Sequence, residues 1–170
     1  MADGASLFAI IAIFFLAGTV KGVIGLGLPS VSLGLLTVVA DLPTAMALLL
    51  VPSFMANLWQ AVVGGKTFEI ASRIWPFLLM ASMTVRLGAK ALTQIDLTYL
   101  SALLGLLLAS YAGLSLAGIR LTLSRGQERW AGPVLGTING VLTGMTGSFV
   151  VPGVLFLQAI GLPRDMLIQA

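Results

Sequence analysis

Cysteine and histidine are both absent from the 170 residues of this chain. Without cysteine there is no disulfide and no thiolate metal site. Without histidine the commonest metal ligand and neutral-pH proton shuttle is missing. Charge is scarce too: Asp, Glu, Lys and Arg make up 9% of the chain, against about 25% in a soluble domain. The acidic residues, Asp3, Asp41, Glu69, Asp96, Glu128 and Asp165, are expected in loops or at helix ends. That argues against a carboxylate proton relay or cation site within the spans. No nucleophile–base pair and no nucleotide-binding loop is present, so the chain is not expected to be an enzyme or to hold a metal or cofactor. The net charge of +3 sits in loops, the basic excess of a membrane protein facing cytoplasm rather than a nucleic-acid surface.

Apolar residues dominate instead, at 58% with a mean hydropathy of +1.07. No soluble fold of this length hides so much apolar surface, so the lipid bilayer is the first partner. Backbone groups in hydrocarbon must bond internally, and continuous rather than alternating apolar runs select helices over a barrel. The fold class is therefore all-α, a polytopic transmembrane helix bundle. The opening Met-Ala-Asp-Gly-Ala-Ser has no positive n-region, so the run from Leu7 is expected to remain in the mature protein. Residues 6–20 make about 22 Å of helix, short of the roughly 30 Å hydrocarbon core, and residues 30–40 are shorter still. Residues 44–63 read as a full span containing Pro52, Asn57 and Gln60. Lys66, Glu69 and Arg73 then mark a wet loop, residues 74–89 the next span, and residues 97–119 the last before the polar stretch Arg120 to Arg129.

The molecule is organised around residues 18–29, where an apolar helix should continue but four glycines, Lys21 and Pro29 intervene. Gly18, Gly22 and Gly25 recur as Gly140, Gly144 and Gly147 at an offset of 122; Pro29 recurs as Pro152 and Leu42-Pro43 as Leu162-Pro163. This ordered set reads as an internal duplication. Residues 1–119 form the first transmembrane repeat, 120–129 a cytoplasmic linker, and 130–170, opening near the interfacial Trp130, the start of the second. Ala170 matches Leu50, so the expected parent is a protein of about 250 residues, of which the last part of the second repeat is missing here. Loops 64–73 and 120–129 hold Lys66, Arg73, Arg120, Arg125 and Arg129, whereas loop 86–96 holds Arg86 and Lys90. The basic side is cytoplasmic. With residues 6–40 as a hairpin, the two copies are inverted; a parallel arrangement stays open if residues 6–27 cross once.

Each motif carries two readings. GxxxG spacing at Gly18/Gly22 and Gly140/Gly144 is accounted for by close helix packing. The denser Gly22-x-x-Gly25-x-Gly27-x-Pro29 should break the helix. Broken backbone at membrane depth is tolerated where it is buried or lines a cavity, and there its free amides attract anions. Lys21 either snorkels to a headgroup or supplies the counter-charge for an anionic substrate; its match in the second copy is Thr143. Ser30 and Ser32, with Thr143, Thr146 and Ser148, either bond back to their own helices or supply neutral donors to an oxyanion. Asn57 and Gln60 share a helix face, for interhelical bonding or for substrate contact. The candidate substrate-binding set is Lys21, Gly22, Gly25, Gly27, Ser30, Asn57, Gln60, Thr143, Gly144, Thr146, Gly147 and Ser148. Lys21 would bring charge, and the amides near Gly25–Gly27 and Gly147–Ser148 would bring donors.

The stretches Gly22-Val-Ile-Gly-Leu-Gly-Leu-Pro29, Pro52-Ser-Phe-Met-Ala-Asn57-Leu-Trp-Gln60 and Gly140-Val-Leu-Thr-Gly-Met-Thr-Gly-Ser-Phe-Val-Val-Pro152 resemble the TauE/SafE family, often named sulfite exporters. Many members carry consecutive glycines before the first proline, where this sequence has Gly-Leu-Gly-Leu. The resemblance implies a multi-pass permease of the bacterial inner (plasma) membrane, with duplicated halves. It also implies a small sulfur-containing anion, such as sulfite or a sulfonate, as substrate. A coupling ion, H+ or Na+, and a homo-oligomer are compatible with that expectation. The alternative is a non-transporting membrane subunit or scaffold whose glycines serve packing.

Overall fold

A computed structural model describes residues 4–25, 27–119 and 121–169. Asp3, Leu26, Arg120 and Ala170 lie outside them, as does the side chain of Asp165. The described residues are helical, with no strand among them: α1 (Gly4–Ile24), α2 (Leu28–Val39), α3 (Leu42–Val63), α4 (Thr67–Leu92), α5 (Leu97–Leu116), α6 (Arg125–Thr146), a wide π-type turn (Val150–Val154), α7 (Leu155–Ala159) and α8 (Arg164–Gln169). Helices α3 and α5 are long and apolar enough to cross a membrane; the apolar segments Leu7–Val23, Leu28–Val39 and Val150–Ala159 are shorter.

Capping residues set the helix starts. The Asp41 carboxylate accepts from the Thr44 N–H at 2.8 Å, with a proline in the first turn, and Asp96 accepts from the Thr98 N–H at 2.8 Å. Ser124 and Gln127 close a reciprocal capping box at 3.4 and 2.9 Å. Hydrogen bonding from Thr44, from its side chain first and its backbone N–H second, holds the Asp41 carboxyl below the usual aspartate range. A depressed carboxyl stabilises the fold above the unfolded-state pKa of about 3.9, and the effect is lost as pH falls through the lower folded value. The Thr44 amide should therefore lose hydrogen-exchange protection only below about pH 4. Asp41→Asn, which keeps the acceptor without the charge, should remove that pH dependence.

Two expected loops begin their helices early. Residues 67–73 belong to α4, because Ile70, Ile74 and Phe77 recur along one helix face and are buried together. Glu69 sits in the first turn of that helix, where a carboxylate suits the dipole. Residues 125–129 belong to α6, nucleated by the capping box. Arg73 then meets Glu128, with Nη2 2.6 Å from Oε1 and Nε 3.2 Å from Oε2, so the starts of α4 and α6 lie together at one end of the bundle. From that end the two helices run parallel. Gly136 lies on Phe77, Gly140 on Ala81 and Thr84, and Gly144 on Val85 and Gly88, each touching the backbone of α4.

The core has two parts. Ala17, Leu28, Leu33, Leu36, Leu42, Leu100 and Leu104 bury the α1–α2 hairpin against the starts of α3 and α5. Ile70, Ile74, Phe77, Phe156, Leu157 and Ile160 bury α7 against the starts of α4 and α6. The α6–α7 segment also turns back on itself: the Leu123 N–H donates to Ala159 O at 2.8 Å, and Arg73 donates to Ile160 O at 2.7 Å. The outward faces are apolar, with Phe8, Phe15, Val38, Trp59, Val62 and Leu116 all exposed. An exterior of this kind is solvated by lipid tails rather than by water.

Candidate functional site

The first helix break is narrow. α1 continues through Lys21 and Gly22 to Ile24, and the Gly25 N–H still donates to Lys21 O at 2.7 Å. Gly25 then takes φ 86° and Gly27 φ 102°, left-handed values that favour glycine, before Pro29 enters the first turn of α2. α2 has no side-chain cap at Gly27, and its positive dipole end lies at this break. The second break opens at Gly147, with φ 73°. Val151 is extended within the wide turn, at φ −121° and ψ 122°.

Residues from both breaks border one cavity of about 240 Å3, lined by Lys21, Gly27, Pro29, Asn57, Gln60 and Phe149 among others. That space corresponds to about eight waters, suited to a small hydrated ion rather than a drug-sized ligand. Lys21 Nζ donates to Asn57 Oδ1 at 2.8 Å, and Gln60 Nε2 donates to Gly25 O at 3.0 Å. Both bonds tie the end of α1 to the C-terminal third of α3. Asn57 Nδ2 has a long 3.5 Å contact with Ser53 Oγ. Among the described residues, no acidic side chain lines the cavity. A cationic amine, two carboxamides and a helix N-terminus, with no carboxylate among the described lining residues, form surroundings that favour an anion over a cation.

The other candidates disperse. Thr143, Gly144 and Gly147 line a neighbouring apolar groove that shares Pro29, Asn57 and Phe149 with the cavity. Gly144 also packs directly on α4. Gly22 and Gly25 face an open groove beside Lys21 and Gln60. Ser30 is half-buried in the first turn of α2. The backbone donors expected near the second break are already in use. The Gly147 N–H donates to Thr143 O at 2.8 Å, and the Ser148 N–H to Thr146 Oγ1 at 3.3 Å. Thr146 Oγ1 donates to Leu142 O, and Thr143 Oγ1 to Ser148 O. The reason is general: a donor at membrane depth without water takes the nearest acceptor.

Sequence reasoning missed Asn139. It is buried in α6, and its Oδ1 accepts the Gly153 N–H at 3.0 Å, fastening the wide turn to the helix that precedes it. An asparagine alone in an apolar helix was the available signal. The hydroxyls of Ser32 and Ser148 are buried with no hydrogen-bond partner among the described residues.

Gly25 offers a direct test of the first break. A methyl group there would meet carbon atoms of the Ile168 side chain at 2.7 Å, on a backbone already left-handed. Gly25→Ala should cost at least about 1–2 kcal/mol, seen as a lower midpoint of thermal unfolding in detergent. Gly22→Ala, in a helical turn with open space around it, should leave that midpoint unchanged or raise it.

No curated protein and no solved structure matches the sequence. The family model for sulfite exporter TauE/SafE, however, matches residues 10–169. An apolar helical bundle whose lysine-bearing cavity lies between two glycine-led helix ends thus bears a family signature along nearly its whole length, and the chain belongs to the sulfite exporter TauE/SafE family.

Proposed function

We propose that the protein is a secondary transporter of a small, sulfur-containing anion, sulfite or a sulfonate, working by alternating access at the Gly/Pro helix breaks of two inverted halves. The observation that carries this is the shared cavity: Lys21, Gly27 and Pro29 from the first break meet Phe149 from the second around a chamber with no carboxylate among its described residues. In this reading Lys21 supplies charge, the start of α2 supplies backbone donors, and Asn57 and Gln60 supply neutral contacts. Ser30 and the groove residues Thr143, Gly144 and Gly147 come into reach as the halves rock. Thr146 and Ser148 hold the second break in shape. Support for inversion comes from direction. The α1–α2 hairpin is buried against the starts of α3 and α5, whereas α7 returns to the starts of α4 and α6, at the opposite end. Oppositely directed hairpins that meet near the midplane are a recurrent plan of secondary transporters.

The two tethers from α3 to the first break, Lys21–Asn57 and Gln60–Gly25, form the gate in this mechanism. An entering oxyanion competes with Asn57 Oδ1 for the Lys21 amine, which loosens α1 from α3. The test is counterflow in proteoliposomes: external labelled sulfite should accumulate against trapped unlabelled sulfite or a sulfonate, and trapped choline should not support it. Imposed H+ and Na+ gradients, varied separately, identify the coupling ion. Equal accumulation with trapped choline, or none with any anion, would count against the proposal. The scaffold reading draws on the α6 glycines, which do serve packing, but it gives Lys21 no role.

A further inference from the structure

A second cavity, of about 750 Å3, opens between α4 and α6 near their starts. Its rim is basic. Arg125 and Arg129 stand four residues apart on α6, on the same face, and both are exposed. Neither makes an ion pair among the described residues. Glu128, the acid between them, is already taken, since both its oxygens accept from Arg73. The floor is apolar: Phe77 and Phe156 stack with ring centroids 5.0 Å apart, and the exposed Trp75 forms one wall. Trp130, also exposed, follows Arg129 directly. Tryptophan and arginine at a helix end mark the boundary between headgroups and hydrocarbon.

We infer that this groove holds an anionic phospholipid, its phosphate between Arg125 and Arg129 and its acyl tail along Trp75, Phe77 and Phe156. Charge complementarity picks the headgroup: with Glu128 paired to Arg73, the two remaining guanidiniums match one phosphodiester. The aromatic floor picks a lipid over a free anion, which would leave that surface wet. The lipid bridges the starts of α4 and α6 beside the Arg73–Glu128 pair, a position from which it steadies the parallel α4–α6 pair.

Trp75 reports occupancy. The full protein, with Trp59→Phe and Trp130→Phe leaving Trp75 as the one indole, is reconstituted into phosphatidylcholine vesicles. Trp75 quenching by brominated phosphatidylglycerol is then compared with quenching by brominated phosphatidylcholine. Each arginine near an anionic headgroup is worth roughly a fivefold preference, so local binding should favour phosphatidylglycerol by about 25-fold at low salt. The preference should shrink with added salt and vanish in Arg125→Gln/Arg129→Gln. Equal quenching by the two lipids would reduce the groove to ordinary annular contact and overturn the inference. A preference abolished by soluble glycerophosphate would assign the arginines to a free anion, and an absence of quenching by either lipid would mean that protein covers the groove; each result also overturns it. The lipid comparison needs no arginine variant, so a misfolded double mutant would not shield the inference.

Discussion

Lys21→Leu should abolish anion transport and, in the same molecule, ease insertion of α1. The two effects have opposite signs, which separates them from a general loss of folding. Lys21 sits in the last turn of an otherwise apolar helix, with its amine on Asn57. A hydrogen bond to a charged group is worth about 1.5–3 kcal/mol, so losing the amine's bond to the anion weakens binding by about 10- to 150-fold. An anion left in the cavity without its counter-charge costs more again. Removing a lysine from a span meanwhile saves up to about 2.5–3.5 kcal/mol of insertion free energy at the helix centre, and less toward an end. Sulfite counterflow measures the first effect and a translocon insertion assay the second. Lys21→Arg should retain part of the flux, because charge is kept while the reach and shape of the donor change. Asn57→Ala should be milder, about tenfold, since it removes one neutral contact but keeps the amine. Full counterflow in Lys21→Leu would leave the lysine as a snorkelling side chain with no part in transport.

How far the residues foretold this arrangement depends on the range of the interaction. The pile-up of Gly25, Gly27 and Pro29 is a local signal, and the helix ends at Ile24 and restarts at Leu28 for local reasons of backbone conformation. That Lys21 touches Asn57, and Gln60 touches Gly25, could not be read in advance. Those contacts bridge 36 and 35 positions and depend on how α1 lies on α3. The early start of α4 was hidden by composition. Lys66, Glu69 and Arg73 look like a solvated loop until Ile70, Ile74 and Phe77 are read together as one buried face.

Backbone donors were the least legible feature. Glycine-rich breaks suggested free amides at Gly25, Gly147 and Ser148, yet each finds an acceptor within a few residues. Side-chain identity carries no information about such short-range rescue. GxxxG was equally ambiguous. Gly140 and Gly144 press on α4, whereas a methyl group at Gly18 or Gly22 would meet nothing within 4 Å. The same spacing serves packing in one place and leaves an open helix face in the other, because the motif specifies a smooth surface but not what lies against it.

That difference makes the α6 ridge the site of the largest expected loss of stability. A Cβ at Gly140 would run into the Ala81 carbonyl and Thr84 Oγ1, and one at Gly144 into the Val85 carbonyl and the Gly88 Cα. Most of these are backbone atoms, which cannot step aside by changing rotamer, so the helices must separate along their length. Gly140→Ala should cost at least about 1–3 kcal/mol, the usual range for overpacking, and Gly140→Leu should prevent the α4–α6 pair from forming. Gly18→Ala and Gly22→Ala, with the same motif and open space, should be neutral or stabilising by up to about 1 kcal/mol. Thr84 permits a sharper test. Its hydroxyl donates to Met80 O and to Thr137 O across the helix pair. Thr84→Ala alone should cost about 0.6 kcal/mol, but it also clears one of the three atoms that a methyl group at Gly140 would strike. In the double variant Gly140→Ala/Thr84→Ala the costs should therefore sum to less than the two singles, a coupling that a double-mutant cycle of unfolding midpoints resolves. Strict additivity would mean that the hydroxyl is not what the methyl group meets. Counterflow per folded molecule should stay near the parent value in Gly140→Ala, which assigns this glycine to helix contact and leaves anion handling to the cavity beside Lys21.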